Sequence, residues 1–176
     1  FGALCNENFN ATCSNVARLS HSYSEYCNLS NALATLQYLD LSSTRIAHIH
    51  HHAFVGCNRL ELLDLDFNRE LTLDVNFLYT PSLSLLKMGW CNISEISVTA
   101  FECTTRLTKL QISSNQIQRM NETLFTYIKQ LKYLELYNNP LICDCQLLPT
   151  WHWLHDYQVE YFTRLLFFPI ETMVCG

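Results

Sequence analysis

Charge is scarce in this chain: Asp, Glu, Lys and Arg make up only 15% of its 176 residues, and their balance is −5. A face built to hold phosphates must be basic, so the deficit argues against a nucleic-acid partner. Glycine and proline are rare too, four of each, which excludes low-complexity linkers; with 49% hydrophobic residues the chain reads as one well-packed domain. No apolar run approaches the roughly 20 residues that cross a bilayer. The longest near the end, Leu165 to Ile170, is far shorter, and no membrane insertion by this segment is expected. There is no initiating methionine and no basic-then-apolar leader, so the chain reads as a mature or trimmed product, its stop after Cys175 fitting a secreted end or an ectodomain boundary. Also missing are a nucleophile elbow, an H-E-x-x-H zinc motif and a glycine-rich phosphate loop, so neither an enzyme nor a cofactor is expected.

What the sequence does contain is a repeat. Leu36, Leu39, Leu41, Thr44, Ile46 and Ile49 begin a pattern that returns every 23 or 24 residues. Leu60, Leu63, Leu65 and Asn68 form the second copy, with one extra residue before Leu71. Leu83, Leu86, Met88, Cys91, Ile93 and Ile96 form the third, and Leu107, Leu110, Ile112, Asn115, Ile117 and Met120 the fourth. Leu131, Leu134, Leu136, Asn139 and Leu141 close a fifth copy. An offset aromatic series, Phe54, Phe77, Phe101 and Phe125, keeps the same period. Two independent markers on one period mean a stacked-coil architecture.

The slots resemble L-x-x-L-x-L-x-x-N/C-x-L, the pattern of the leucine-rich repeat superfamily, over about three-fifths of the chain. The resemblance implies an α/β solenoid: a short right-handed arc of five repeats with a concave parallel sheet, between an N-terminal cap (1–35) and a C-terminal cap (142–176), with 36–141 as the repeats. Neither a repeat strand nor its return arm can bury its apolar face alone, so neighbouring coils must stack. The Asn slot, Asn68, Asn115 and Asn139, is suited to satisfy amides and carbonyls stranded at the turn. Thr44 and Cys91 hold the same slot with poorer hydrogen-bonding capacity, and the phenylalanines are expected along the convex edge.

The nine cysteines lie mostly at the ends: Cys5, Cys13 and Cys27 before the repeats, Cys143, Cys145 and Cys175 after them. Asn139-Pro140-Leu141-Ile142-Cys143-Asp144-Cys145, then Trp151-His152-Trp153-Leu154, is similar to the cysteine-rich C-terminal flank of Toll-like, neurotrophin and platelet-glycoprotein type receptors and of lamprey lymphocyte receptors. That likeness implies disulfide-stapled caps, a short amphipathic helix, and a Cys143–Cys175 bridge that leaves Cys145 unpaired or bridged elsewhere. Each cap trio is odd in number, and connectivity stays open. Cys57 and Cys91 are expected to be buried free thiols, and a zinc reading of C-x-C fits poorly. Four acceptor sequons, at Asn10, Asn28, Asn92 and Asn121, join the cysteines in pointing to an oxidising secretory route and an extracellular location.

Function is expected on the outward strand positions. These are Tyr38, Asp40 and Ser42; Leu62, Asp64 and Asp66; Leu85, Lys87 and Gly89; Lys109, Gln111 and Ser113; Tyr133, Glu135 and Tyr137. Just beyond them lie Ser43, Phe67, Trp90, Ser114 and Asn138, and none of these positions is an acceptor asparagine. Large amphipathic rings at Tyr38, Phe67, Trp90, Tyr133 and Tyr137 suit a protein interface. Asp40, Asp64 and Asp66 on the first strands and Lys87 and Lys109 on the next suit a partner of divided charge. The histidines of His48-Ile49-His50-His51-His52 fall at variable positions of an arm, so no metal site is expected; titration near endosomal pH is the alternative role. The resemblance thus implies an extracellular domain that recognises a protein ligand or co-receptor, with self-association as a homodimer in an adhesive or matrix assembly as the competing class.

Overall fold

The computed structural model describes residues 16–18, 35–49, 54, 57–73, 77–142 and 144–162. The strands are β1 (Val16–Arg18), β2 (Tyr38–Asp40), β3 (His48–Ile49), β4 (Leu62–Asp64), β5 (Thr72–Leu73), β6 (Leu85–Lys87), β7 (Lys109–Gln111), β8 (Tyr133–Glu135) and β9 (Glu160–Phe162). Seven of them build one parallel sheet in the order β1-β2-β4-β6-β7-β8-β9. Leu39 pairs with Leu63, Leu63 with Leu86, Leu86 with Leu110 and Leu110 with Leu134, so the repeat register of the sequence is the register of the sheet. All five leucines are buried. At about 1.5–3 kcal/mol per buried aliphatic side chain, these rows supply the main favourable term.

The sheet continues past the five repeats at both ends. β1 pairs with β2 from the N-terminal side and β9 pairs with β8 from the C-terminal side, so segments outside the repeat pattern extend the same face. A second, two-stranded sheet of β3 and β5 ties the first two return arms. Phe54, Phe77, Phe101 and Phe125 are all buried in the core. A turn recurs with them: the amides of Cys57, Thr104 and Ile128 donate to the carbonyls of Phe54, Phe101 and Phe125 at 3.1, 2.9 and 3.2 Å.

The Asn slot forms a ladder along the solenoid. Asn68 Nδ2 donates to the carbonyls of Leu41 and Leu65 at 3.0 and 2.7 Å, while its Oδ1 accepts from the Ile46 amide at 2.9 Å. Asn139 repeats the scheme on Ile112, Leu136 and Ile117. Where cysteine replaces Asn, the Cys91 thiol donates to the carbonyls of Leu65 and Gly89 at 3.1 and 3.3 Å. Sulfur thus reproduces the donor half of the amide and supplies only a weak acceptor. Burial pushes the thiols of both Cys57 and Cys91 up to about 11. Both are free, as is the half-buried Cys103, and a thiol that stays protonated acts as a small hydrophobe rather than a nucleophile.

At the C-terminal end, the helix α1 (Leu148–Asp156) follows the C-x-C segment, with proline in its first turn. It buries Trp151 and Leu154, and Thr150 donates to the Met120 carbonyl at 2.9 Å. Phe125 stacks on Trp153 at 4.7 Å, and Trp153 on Tyr157 at 4.5 Å, so the aromatic series of the return arms passes into the cap. Arg119 holds Asp144 at 2.7 Å, keeping that carboxyl below its usual range. Cys145 is disulfide-bonded rather than unpaired. Its partner lies outside the described residues, as do Cys5, Cys13, Cys27, Cys143 and Cys175, and the Cys143–Cys175 pairing remains a proposal. Among the described residues no helix is long and apolar enough to cross a membrane.

Candidate recognition face

The short strands leave alternate side chains outward, and most of the sequence-predicted positions occupy the same face. Tyr38, Lys109 and Tyr137 are exposed, while Asp40, Asp64, Asp66, Lys87, Gln111, Tyr133 and Glu135 are half-buried among their neighbours. Gly89 and Ser113, also expected to point outward, are buried.

Much of the charge on this face is satisfied within it. Lys87 Nζ lies 3.0 Å from Asp64 Oδ2 on the adjacent strand. That pairing raises the Lys87 pKa further, so the expected division into acidic and basic halves is partly neutralised at its centre. Glu135 accepts from Gln111 Nε2 at 2.7 Å, Ser113 Oγ at 2.9 Å and Tyr133 Oη at 3.1 Å, a network that ties β7 to β8. Asp40 accepts from the amide and hydroxyl of Ser42 at 3.0 and 2.7 Å, and the Asp64 carboxylate from the amide of Asp66 at 3.1 Å.

Asp66 differs from the other acids. Its Oδ1 accepts from the Gly89 amide at 2.6 Å, and a side chain at Gly89 would meet that same oxygen at 3.2 Å, so the close approach depends on glycine. Burial, reinforced by Asp64, pushes the Asp66 carboxyl up to about 6. A carboxyl whose folded pKa exceeds its unfolded value stabilises most in acid. That contribution is complete below about pH 4 and is lost as pH rises through 6, on the order of 1–3 kcal/mol. Asp66→Asn keeps an acceptor for Gly89 without the charge. It is expected to raise the melting temperature at pH 7.5 and leave it nearly unchanged at pH 4, as thermal unfolding at the two pH values will show.

Three residues past each of the five strands β2, β4, β6, β7 and β8 stands a left-handed residue. Ser43, Phe67, Trp90, Ser114 and Asn138 have φ of 55, 62, 58, 54 and 59°. Asparagine tolerates this conformation, but a bulky side chain resists it, at about 1–2 kcal/mol. Two coils nonetheless place aromatic rings there. Phe67 and Trp90 stack with centroids 6.0 Å apart and planes 13° from parallel, and they remain 50% and 43% exposed. The chain thus holds two rings in water on strained backbone, a combination that core packing does not explain.

Beyond the rings lies a groove of about 670 Å³, lined by Trp90, Ser114 and Asn138 on one side, Arg69, Asn92, Gln116 and Pro140 on the other, and Asn115 and Asn139 between. The two sides are rows of equivalent repeat positions, so the groove runs along the solenoid axis. Sequence reasoning singled out Trp90, Asn92, Ser114, Asn115, Asn138 and Asn139 but missed the groove. The signal was the 23- or 24-residue offset itself, which places Arg69, Asn92, Gln116 and Pro140 in one row. Among the other acceptors, Asn121 caps a 3-10 turn (Glu122–Thr126) remote in the repeat from the strand, while Asn10 and Asn28 lie outside the described residues. Of the histidines, the exposed His48 bonds Thr72 Oγ1 at 2.9 Å, and His50, His51 and His52 lie outside the described residues. Among the described residues no cluster of His, Cys, Asp and Glu could hold a metal ion.

The leucine rich repeat family model matches residues 29–69 and 81–141, together more than half of the chain. The chain belongs to the leucine-rich repeat family. Chaoptin of Drosophila melanogaster is 32% identical over 114 residues, covering 64% of this chain and 8% of that protein. Human Toll-like receptor 8 is 31% identical over 132 residues, covering 74% of the chain and 12% of the receptor. The solved TLR13–ssRNA13 complex superposes with a TM-score of 0.72 at 21% identity, over 86% of this chain and 22% of that one. That likeness shows the leucine-rich repeat fold. This leucine-rich repeat chain therefore spans a small part of the relatives it matches, several of which are Toll-like receptors, and its family and fold are those of non-enzymes.

Proposed function

We propose that this segment is an extracellular ligand-recognition domain, part of a cell-surface receptor or secreted protein of immune or developmental signalling, that holds a protein ligand or co-receptor on its concave strand face. The observation that carries the reading is the set of exposed rings, Tyr38, Phe67, Trp90 and Tyr137, on and just beyond the strands of a continuous seven-stranded sheet. Rigid aromatic groups bury much area at low rotamer cost and dominate protein interfaces. The network around Asp64, Lys87, Gln111 and Glu135 pre-orders the polar groups between them.

A nucleic-acid partner is disfavoured. TLR13 was solved with single-stranded RNA, but here one of the two strand lysines, Lys87, is held by Asp64, and acidic groups flank it. Counterion release needs several free cations. The alternative, self-association through the same face into an adhesive assembly, predicts a dilution-resistant dimer. Light scattering of the glycosylated chain over a concentration series decides between them. The recognition reading expects a monomer at every concentration; a dimer abolished by Tyr137→Ser would overturn it in favour of assembly.

A further inference from the structure

We propose that the groove beside Trp90 is the seat of the chain's own N-linked glycan, attached at Asn92 and packed by its core N-acetylglucosamine against the indole. The inference rests on the secretory reading of the chain and deepens it by assigning the acceptor a place to lie.

Asn92-Ile93-Ser94 is an acceptor sequon two residues after Trp90. Asn92 is exposed and sits in a turn at φ 59°, with Trp90 at φ 58°. These two alternate left-handed residues, with Cys91 between them, both line the same groove. Phe67, on the preceding coil, stacks on the indole and is absent from the groove lining. Ser114 and Asn138, on the following coils, are part of that lining. The indole thus touches both Phe67 and the groove.

The groove's chemistry suits a sugar better than a polypeptide side chain. An indole face carries partial negative charge that attracts the polarised C–H groups of a pyranose, while its breadth covers the ring. Amides at Gln116 and Asn138, the Ser114 hydroxyl and the Arg69 guanidinium supply donors and acceptors for hydroxyl and acetamido groups. The volume, about 670 Å³, lies within the range of small-ligand sites, about 300–1,000 Å³. A covalent tether makes the contact intramolecular, at an effective concentration of about millimolar or above, so weak stacking suffices. The same contact accounts for an aromatic residue held on strained backbone in water. Such a glycan would cover the groove side of Trp90 and take that ring out of the partner surface, leaving Tyr38, Phe67 and Tyr137 as the exposed rings of the recognition face.

The test is glycan release from the native protein, secreted from a mammalian host, by a peptide-N-glycosidase, followed by glycopeptide mass spectrometry at Asn92 and Asn121. The proposal expects occupancy at Asn92 and release there at least tenfold slower than at Asn121. Trp90→Ser should abolish that difference and Trp90→Tyr should largely keep it, with melting curves confirming that both variants fold. Equal release rates in the unsubstituted chain, or slow release that survives Trp90→Ser, would overturn the packing while leaving the recognition face untouched. An unoccupied Asn92 in a chain glycosylated elsewhere would overturn the proposal as well. A secreted chain without glycan at any sequon would instead count against the secretory reading beneath it.

Discussion

Asn115→Ala is expected to lower the unfolding free energy by about 4 kcal/mol or more, enough to unfold a marginal domain at physiological temperature. Asn115 is 3% exposed, and its one side chain serves three segments of backbone. Nδ2 donates to the carbonyls of Met88, Ile112 and Ser113 at 2.7, 3.0 and 3.2 Å. Oδ1 accepts from the amides of Cys91 and Ile93, both at 3.0 Å. Alanine strands these groups, and a buried polar group without a partner costs about 1–3 kcal/mol. Neighbouring coils cannot compensate, because the coil before already carries cysteine in the slot. Denaturant unfolding of Asn115→Ala beside the exposed control Gln116→Ala will measure the difference. A loss below about 1 kcal/mol would mean that water replaces the amide and that the ladder is not what joins the coils.

Phe101→Ala is expected to cost about 3–5 kcal/mol by the same measurement. Its ring is fully buried in the middle of the return-arm series, between Phe77 and Phe125. Deleting it leaves a cavity that the stacked coils on either side cannot close without sliding against the sheet. Because each coil contacts only its neighbours, the defect should also weaken coupling along the solenoid. Unfolding is then expected to broaden or divide into two steps, with the half containing Phe125, Trp153 and α1 outlasting the other. Phe101→Leu keeps most of the volume and should cost about 1–1.5 kcal/mol with one cooperative transition.

These two residues also mark how far the sequence could be read. Leucine spacing gave the strand register because periodicity and stacking are the same constraint, and Asn115 was legible because one side-chain amide can satisfy both amides and carbonyls at that turn. Cys91 was half legible: its poorer hydrogen-bonding capacity was evident, its thiol contacts with the Leu65 and Gly89 carbonyls were not. The extra strands β1 and β9 escaped notice because Val16–Arg18 and Glu160–Phe162 carry no leucine pattern and are ordered by the neighbouring strand's open edge.

On the candidate face, residue identities were readable but their relations were not. Asp64 and Lys87 lie 23 positions apart, which is one repeat, so their contact follows from register once register is known. Phe67 and Trp90 defied local propensity, since nothing in an aromatic residue announces a left-handed backbone; the turn geometry imposed by the coil wins over side-chain preference. The axial groove is likewise a property of stacked coils and is invisible in any one of them.

The account's central claim, recognition of a protein through the strand face, is tested most directly by screening the glycosylated chain against a panel of secreted and cell-surface ectodomains. The screen is run in parallel with the double variant Tyr38→Ser/Tyr137→Ser and with Lys129→Ala, an exposed residue between the 3-10 turn and β8. The account predicts at least one partner whose affinity falls tenfold or more in the double variant and is unchanged in Lys129→Ala. A partner held equally well by the double variant, or lost only with Lys129→Ala, would place recognition elsewhere on the solenoid and contradict it.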